Sequence, residues 1–176
     1  MELRGSTFHP PTLDLLDEFA LVPRMIEVGL KAPTWQFRDR ETGPVATFDL
    51  SLLAGDTNPP YRVQCEQSKL TRILYGQMRG HANFELQFGS TVTGASQTAS
   101  GVEVAIERDG RNERHVGRYL IGADGASSMV RRALGIAFEG FTWPDRLLVV
   151  STPFDFYSVI PGLSSVSYVA DPERWY

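Results

Sequence analysis

The sequence predicts a mixed α/β (α+β) fold. Apolar residues recur at helical spacing near the start of the chain and again over residues 68–79. Beyond residue 84 the pattern changes to the alternation that is typical of strands. An apolar strand, a turn of small residues and a short helix are then expected between residues 119 and 134. These three observations indicate a domain in which helices and sheets are combined.

The first half of the chain carries the predicted helices and one hairpin. Ser6 and Thr7 can cap a helix, Pro10 and Pro11 suit its first turn, and Leu13 begins an apolar helical stripe. Two alternating runs around a turn at Arg40–Gly43 predict the hairpin. The predicted elements are a helix over His9–Phe19, a short helix over Pro23–Val28, strands over Thr34–Asp39 and Val45–Leu50, and a helix over Ser68–Arg79.

The second half is predicted to be mostly strands. Asp109–Gly110 is a hairpin-turn dipeptide, which indicates a three-stranded meander leading into a buried strand that ends at Ile121. Gly135 is expected to end the helix that follows. The predicted elements are strands over Phe84–Phe88, Thr91–Gln97, Val102–Glu107 and Glu113–Ile121, a helix over Met129–Leu134, and strands over Leu147–Val150 and Val166–Val169.

Composition excludes several classes of partner and site. Seventeen Lys and Arg against 21 Asp and Glu give a net charge of −4 without a long run of either sign, so nucleic acid is not an expected partner. Cys65 is the only cysteine, which excludes an internal disulfide and fits a reducing compartment, the cytoplasm. No apolar stretch reaches the length of a membrane span, so no membrane partner is expected. The three histidines lack metal-ligand spacing, so no metal site is expected.

The segment 119–135 has the features of a ligand-binding turn. Gly122, Ala123 and Gly125 let backbone approach a bulky group, and the following helix would direct its positive end there, which suits a phosphate-bearing cofactor. Asp124 can accept hydrogen bonds from hydroxyl groups, and Arg131 can pair with a phosphate or an acid. The alternative is a capped strand–helix junction in which Asp124 is the N-cap and Arg131 is exposed.

The whole string, Tyr119-Leu-Ile-Gly-Ala-Asp-Gly-Ala-Ser-Ser-Met-Val-Arg-Arg-Ala-Leu-Gly, resembles the Asp-Gly fingerprint of the FAD-dependent aromatic-ring monooxygenases, of the para-hydroxybenzoate and 3-(3-hydroxyphenyl)propionate hydroxylase type. Asp124, Gly125, Ser128 and Arg131 fall on its defining positions. The resemblance implies that this motif contacts the FAD pyrophosphate region and the path of NAD(P)H.

Two further residues match the same family in the same order. Arg4 resembles the arginine that reaches the cofactor's phosphates, and Gln67 resembles the glutamine that contacts the FAD linker or ribityl region. Their alternatives are an exposed terminal arginine and an ordinary residue at a helix start. The resemblance extends to Tyr168-Val-Ala-Asp-Pro-Glu-Arg-Trp and implies a partial FAD-binding domain over 1–140 and the beginning of a β-rich substrate domain over 141–176.

The implied reaction is the reduction of FAD by NADH or NADPH, reaction of the reduced flavin with O2, and transfer of one oxygen atom to a small phenol-like aromatic substrate. The sequence contains neither the Gly-x-Gly-x-x-Gly of a first βαβ unit nor the family's later Gly-Asp motif, so this chain is expected to be an incomplete flavin site, inactive alone. The catalytic base is unknown, and homo-oligomerisation stays open.

Three alternatives are kept. A related flavin epoxidase or reductase would share the Asp-Gly motif, and a truncated, non-catalytic product would bind nothing tightly.

Trp35, Phe37 and Phe48 could line an aromatic-substrate pocket, although their alternation on a hairpin favours ordinary sheet packing. His9, His81 and His115 are expected to be surface or packing residues.

Overall fold

The computed structural model describes residues 5–144, 146 and 148–171. The chain forms two compact units, one from Met1–Phe84 with Leu148–Tyr176 and one from Glu85–Leu147. In chain order the elements are β1 (Thr7–Phe8), α1 (Pro10–Asp17), α2 (Val22–Val28), β2 (Leu30–Ala32), β3 (Thr34–Asp39), β4 (Gly43–Asp49), β5 (Arg62–Gln64), α3 (Gln67–Met78), β6 (Ser90–Thr98), β7 (Gly101–Arg108), β8 (Arg111–Gly117), α4 (Met129–Ala133) and β9 (Ser167–Ala170).

The core of the first unit forms where α1 and α2 cover a small sheet. In this sheet β5 lies between β1 and β2, and both pairings are antiparallel. Each large apolar side chain removed from water there stabilises the fold by about 1.5–3 kcal/mol. The fully buried cluster consists of Leu13, Leu21, Val22, Met25, Val63 and Cys65.

The first predicted helix ends two residues earlier than expected. Ala20 adopts a φ of +54°, and the Leu21 amide donates to the Leu16 carbonyl at 3.2 Å. This left-handed ending is usually formed by glycine, so it could not be predicted from an alanine at this position. It turns Leu21 into the core and leaves Phe19 exposed.

The predicted hairpin is formed by β3 and β4, and β9 pairs parallel with β3 on the other side. The predicted strand Val166–Val169 corresponds to β9, one residue further along. In β3 the buried side chains are the polar ones, Gln36 and Arg38. Arg38 Nη1 donates to Gln36 Oε1 at 3.0 Å, and Gln36 Nε2 donates to the Gly162 carbonyl at 3.0 Å. The polar face is therefore satisfied by the loop that precedes β9.

The second unit contains the predicted meander. Strands β6, β7 and β8 pair antiparallel in order, and both Asp109 and Gly110 have positive φ, as a two-residue hairpin turn requires. The helix predicted over Met129–Leu134 is α4. Gly135 ends it at φ +67°, with the Ile136 amide donating to the Arg131 carbonyl at 3.1 Å.

Two predicted strands are absent from the described residues, and a third, Glu113–Ile121, is present only as far as Gly117. Residues 84–87 have no regular structure, β8 ends at Gly117, and residues 148–150 are irregular; Leu147 lies outside the described residues. The segment Tyr119–Ile121, expected to be a buried strand, is exposed, with Tyr119 85% and Ile121 88% accessible. A strand needs a neighbouring strand to receive its backbone hydrogen bonds, and no strand in the described part of the chain pairs with these segments.

In the same described part of the chain, none of the helices has the length and apolar character needed to cross a bilayer.

Candidate functional site

The turn that carries the Asp-Gly motif is built on close backbone contacts. A Cβ on Gly122 would lie 3.0 Å from Cγ1 of Val130, so a larger residue would push the turn away from α4. Gly125 has a φ of +78° and faces open space, so its glycine serves the backbone conformation. Its carbonyl accepts from the Ser128 amide at 3.0 Å. The predicted turn and helix are thus present, although the strand before them is not.

Asp124 is tied to the start of α4. Its Oδ2 accepts from the amides of Met129 at 2.6 Å and Val130 at 3.2 Å. Its Oδ1 accepts from the Ser128 hydroxyl at 2.5 Å. The Ser128 hydrogen bond, followed by the two backbone amides, holds the pKa of the Asp124 carboxyl below its usual value. Asp124 is therefore ionised at neutral pH, and it stays exposed to solvent.

Ser128, rather than Asp124, is the N-cap of α4. Its hydroxyl accepts from the Arg131 amide at 3.0 Å while donating to Asp124, and its side chain is buried. The two side chains together satisfy the first three amides of the helix. Sequence reasoning offered capping as the alternative to ligand binding for Asp124, and the structure contains this capping role.

Arg131 is half-buried rather than exposed. Its Nη1 donates to the Ala126 carbonyl at 2.7 Å, and its Cζ lies 4.4 Å from the centre of the Phe138 ring. Both contacts hold the guanidinium against the turn rather than extended into solvent. The charge is fixed next to Gly125 and Ala126, on the same unit as Asp124.

The amides at the start of α4 already have acceptors within the chain. Asp124 and Ser128 already occupy those amides, and the helix has only five residues. The turn offers the exposed carboxylate of Asp124, which has unused acceptor capacity. Next to it, no atom lies within 4 Å of where a Cβ on Gly125 would stand. That arrangement suits hydroxyl groups of a ligand better than its phosphates.

Gln67 lies in the other compact unit, as the first residue of α3. Its side chain is exposed, and its Nε2 lies 3.7 Å from where a Cβ on Gly5 would stand. Gly5 follows Arg4 in the chain, and Arg4 lies outside the described residues. The structure thus brings Gln67 to the start of the chain, and each unit carries part of the predicted set.

The aromatic residues of the hairpin pack on one another. Trp35 stacks on Phe48 with centroids 4.1 Å apart, and Phe37 and Tyr168 lie 5.3 Å and 5.7 Å from Trp35. This cluster across β4, β3 and β9 agrees with the sheet-packing interpretation. Within the described ranges, no group of three or more His, Cys, Asp or Glu could hold a metal.

The burial of Arg62 was not predicted from the sequence. It begins β5, is only 9% exposed, and its Cζ lies 5.0 Å from the centre of the Trp35 ring. The sequence Pro60-Tyr-Arg-Val gave no periodic signal for burial, because charged residues at strand starts are usually exposed.

The sequence profile of the FAD binding domain family matches residues 1–171, so the chain belongs to this family. The chain is 29% identical over 172 residues to para-nitrophenol 4-monooxygenase of Pseudomonas sp. (strain WBC-3), covering 98% of this chain and 42% of that protein. It is 34% identical over 154 residues to 6-hydroxy-3-succinoylpyridine 3-monooxygenase HspB of Pseudomonas putida (strain DSM 28022 / S16), covering 87% of this chain and 39% of that protein. It spans about two-fifths of the length of these curated relatives.

Among solved structures, p-nitrophenol 4-monooxygenase PnpA from Pseudomonas putida DLL-E4 superposes with a TM-score of 0.82 at 22% identity, over 99% of this chain and 44% of that chain. This likeness concerns the fold. The predicted family, the flavoprotein hydroxylase type of fold and FAD as the family's cofactor are confirmed.

We expect Ser128→Ala to lower the free energy of unfolding of the second unit by about 1 kcal/mol, because it removes the N-cap acceptor of α4 and the hydroxyl that binds Asp124. Urea denaturation followed by circular dichroism measures this. The neighbouring Ser127 is exposed, and Ser127→Ala is the matched control, expected to change stability by less than about 0.5 kcal/mol.

The cap should also respond to acid. Because the pKa of Asp124 is lower in the folded chain, its contribution to stability is complete above the usual aspartate pKa of 3.8 and is lost as the pH falls through the lowered value. We expect the amide resonances of Met129 and Val130 to titrate with a midpoint below 3.8 in NMR spectra. A midpoint at or above that value would contradict the hydrogen bonds described.

Proposed function

We propose that this chain is a portion of an FAD- and NAD(P)H-dependent monooxygenase that hydroxylates a small, phenol-like aromatic substrate with O2. The observation that carries the proposal is the family match over residues 1–171, together with relatives named as monooxygenases of para-nitrophenol, 6-hydroxy-3-succinoylpyridine and pentachlorophenol. The three names share a ring that carries a hydroxyl group. The flavin supplies the redox chemistry, and the protein positions it.

The residues proposed to hold FAD have the right chemistry for parts of it. The exposed carboxylate of Asp124 can accept from a cofactor hydroxyl without giving up its hydrogen bonds to α4, because a carboxylate has about four acceptor positions. The side-chain amide of Gln67 can both donate and accept hydrogen bonds, and it is exposed at the start of α3. For Arg131 we propose a role beside the path of NAD(P)H, for Gly125 and Ser128 the shaping of the turn, and for Arg4 contact with phosphate.

The proposed domain arrangement is a partial FAD-binding domain over 1–140 and the start of a substrate domain over 141–176. The parallel pairing of β9 with β3 links residues on both sides of this boundary in one sheet. We also propose a cytoplasmic location, supported by Cys65 as a single, buried, free thiol.

The test uses the protein expressed from the complete reading frame that contains these residues, supplied with FAD, NADH or NADPH, and a phenol such as para-nitrophenol. We expect oxidation of the reduced nicotinamide to depend on the phenol, and the product to carry one oxygen atom from labelled O2. An epoxide product would favour the epoxidase alternative. Oxidation of the nicotinamide without oxygen transfer would favour a reductase. Absence of flavin binding would favour the alternative of a truncated, non-catalytic product.

The 176-residue chain by itself should bind FAD weakly and purify without colour. Its Asp-Gly turn presents a hydroxyl acceptor but no free helix amides for the pyrophosphate, and affinity depends on several preorganised contacts. Titration of the chain with FAD, followed by flavin fluorescence, measures this directly. Tight stoichiometric binding would contradict the expectation that this segment is an incomplete flavin site.

A further inference from the structure

The chain contains two Asp-Gly pairs, Asp109–Gly110 and Asp124–Gly125, and no Asn-Gly pair. In such a pair the glycine amide nitrogen can attack Cγ of the aspartate, because glycine has no side chain to block the approach. One water molecule leaves, and a succinimide ring forms. Water then opens the ring at either carbonyl group, which restores aspartate or produces isoaspartate, with the backbone running through Cβ and Cγ. The chain keeps its mass, and no oxidant or cofactor is consumed.

The two glycines are alike in the features that affect this attack. Gly110 has a φ of +72° and Gly125 a φ of +78°, and a Cβ at either position would meet no atom within 4 Å. Both aspartates are exposed to solvent. Steric access therefore does not distinguish the two pairs, and the difference between them lies in the hydrogen bonds of their carboxylates.

The carboxylate of Asp124 is held by the start of α4. It accepts from the Ser128 hydroxyl at 2.5 Å and from the amides of Met129 and Val130 at 2.6 Å and 3.2 Å. Ring closure removes one of the two carboxylate oxygens, so hydrogen bonds to that oxygen have to break. The same hydrogen bonds hold the pKa of Asp124 below its usual value, whereas the oxygen leaves as water from the protonated carboxyl. Both effects slow the reaction at Asp124.

Asp109 has no comparable restraint. Among the described residues, neither its carboxylate nor the Gly110 amide has a hydrogen-bond or ion-pair partner. The pair forms the exposed tip of the β7–β8 hairpin, and strand pairing begins with Arg108 and Arg111. Asp109 has a φ of +51°, a conformation that costs a residue with a Cβ about 1–2 kcal/mol. An exposed tip without side-chain contacts opens more readily than the strands that it joins.

We propose that Asp109–Gly110 is a site of spontaneous isoaspartate formation, and that the hydrogen bonds of Asp124 protect the other Asp-Gly pair from the same reaction. Isoaspartate adds one carbon atom to the backbone of a two-residue turn, so Arg108 and Arg111 no longer pair in register. The proposal does not depend on the monooxygenase function, since the reaction needs only the chain and water.

The test incubates the protein expressed from the complete reading frame at neutral pH and physiological temperature for several weeks, with FAD, without FAD and unfolded in urea. Cleavage after glutamate gives separate peptides for the two pairs, 108–113 and 114–139. Chromatography and electron-transfer mass spectrometry distinguish isoaspartate from aspartate. In the folded protein, with or without FAD, we expect isoaspartate to form at Asp109 at least about fivefold faster than at Asp124, which has hydrogen bonds to break. In urea the two rates should be similar.

Two variants, checked for folding by circular dichroism, assign the cause. Asp109→Gly removes the reacting carboxyl and keeps a residue suited to the turn, so its peptide 108–113 should contain no isoaspartate. Ser128→Ala removes one hydrogen bond of Asp124 and should speed the reaction there at least about twofold. Absence of isoaspartate at Asp109 in the folded wild type, or equal rates at the two pairs, would overturn the proposal. An unchanged rate at Asp124 in folded Ser128→Ala would overturn the protective role of its hydrogen bonds.

Discussion

Gly29→Ala should lower the free energy of unfolding of the first unit by about 3 kcal/mol, at the upper end of the cost of overpacking. A Cβ at this position would lie 2.5 Å from the Gln64 carbonyl oxygen, 2.8 Å from the Met25 carbonyl oxygen and 3.0 Å from Cβ of Cys65. Two of these neighbours are backbone atoms, so relief requires α2 and β5 to separate. The φ of −125° is open to any residue, which makes the effect purely steric.

The matched control is Gly55→Ala. A Cβ there would meet no atom within 4 Å, and the change should alter stability by less than about 0.5 kcal/mol. Urea denaturation followed by circular dichroism compares the two variants with wild type. Equal stability of both variants would show that α2 and β5 do not approach at Gly29 as described.

Local patterns predicted the elements that are stabilised by their own sequence or by the next strand. Helix α3 differs from its prediction by one residue at each end, because its apolar spacing persists over three turns. The meander was predicted because Asp109–Gly110 fixes a hairpin whose strands are neighbours in the chain. Such elements need no information from distant segments.

The wrong predictions share a physical cause. Tyr119–Ile121 is rich in strand-forming apolar residues, and Phe84–Phe88 alternates apolar with polar residues. A strand also needs a partner strand, and the local sequence does not show whether one is present. The polar face of β3 is the reverse case. Gln36 and Arg38 look exposed by composition, and only the carbonyls of a loop more than 120 residues away allow their burial.

The structure joins Asp124, Gly125, Ser128 and Arg131 through one hydrogen-bond network at the start of α4. Their assignment to FAD binding and to the path of NAD(P)H stays a prediction. The sequence could not show that the network uses up the helix amides, since capping and ligand binding require the same residue types. Experiments that separate these two roles are therefore the most informative.

Asp124→Ala should weaken FAD retention by at least about tenfold in the protein from the complete reading frame, because an ionised acceptor for a cofactor hydroxyl is lost. The same change also removes the acceptor for the first two amides of α4 and leaves the Ser128 N-cap in place. Two matched variants separate the effects. Ser128→Ala weakens the cap and leaves the exposed carboxylate in place, so it should lose less FAD than Asp124→Ala does. Asp124→Asn keeps a capping oxygen without the charge and should show an intermediate loss.

Flavin content after dialysis and the dissociation constant for FAD measure these differences. Equal loss of FAD from Asp124→Ala and Ser128→Ala would mean that the cap, rather than a cofactor contact, explains the motif. Wild-type retention in both would leave Asp124 with a structural role alone.

Arg131→Ala should chiefly slow the reduction of bound FAD by NAD(P)H, by about tenfold, with little effect on FAD retention. The guanidinium is held beside Ala126 and over Phe138, so it is fixed before a dinucleotide binds. Loss of a fixed cation weakens the binding of a phosphate-bearing partner.

Arg132→Ala, one residue further along and exposed, is the matched control, and its bound FAD should be reduced at the wild-type rate. Stopped-flow absorbance of the flavin, over a range of NADH and NADPH concentrations, separates weaker nicotinamide binding from a slower reduction step. Unchanged reduction in Arg131→Ala, or equal slowing in Arg132→Ala, would remove Arg131 from the path of the nicotinamide and leave it as a residue that braces the turn.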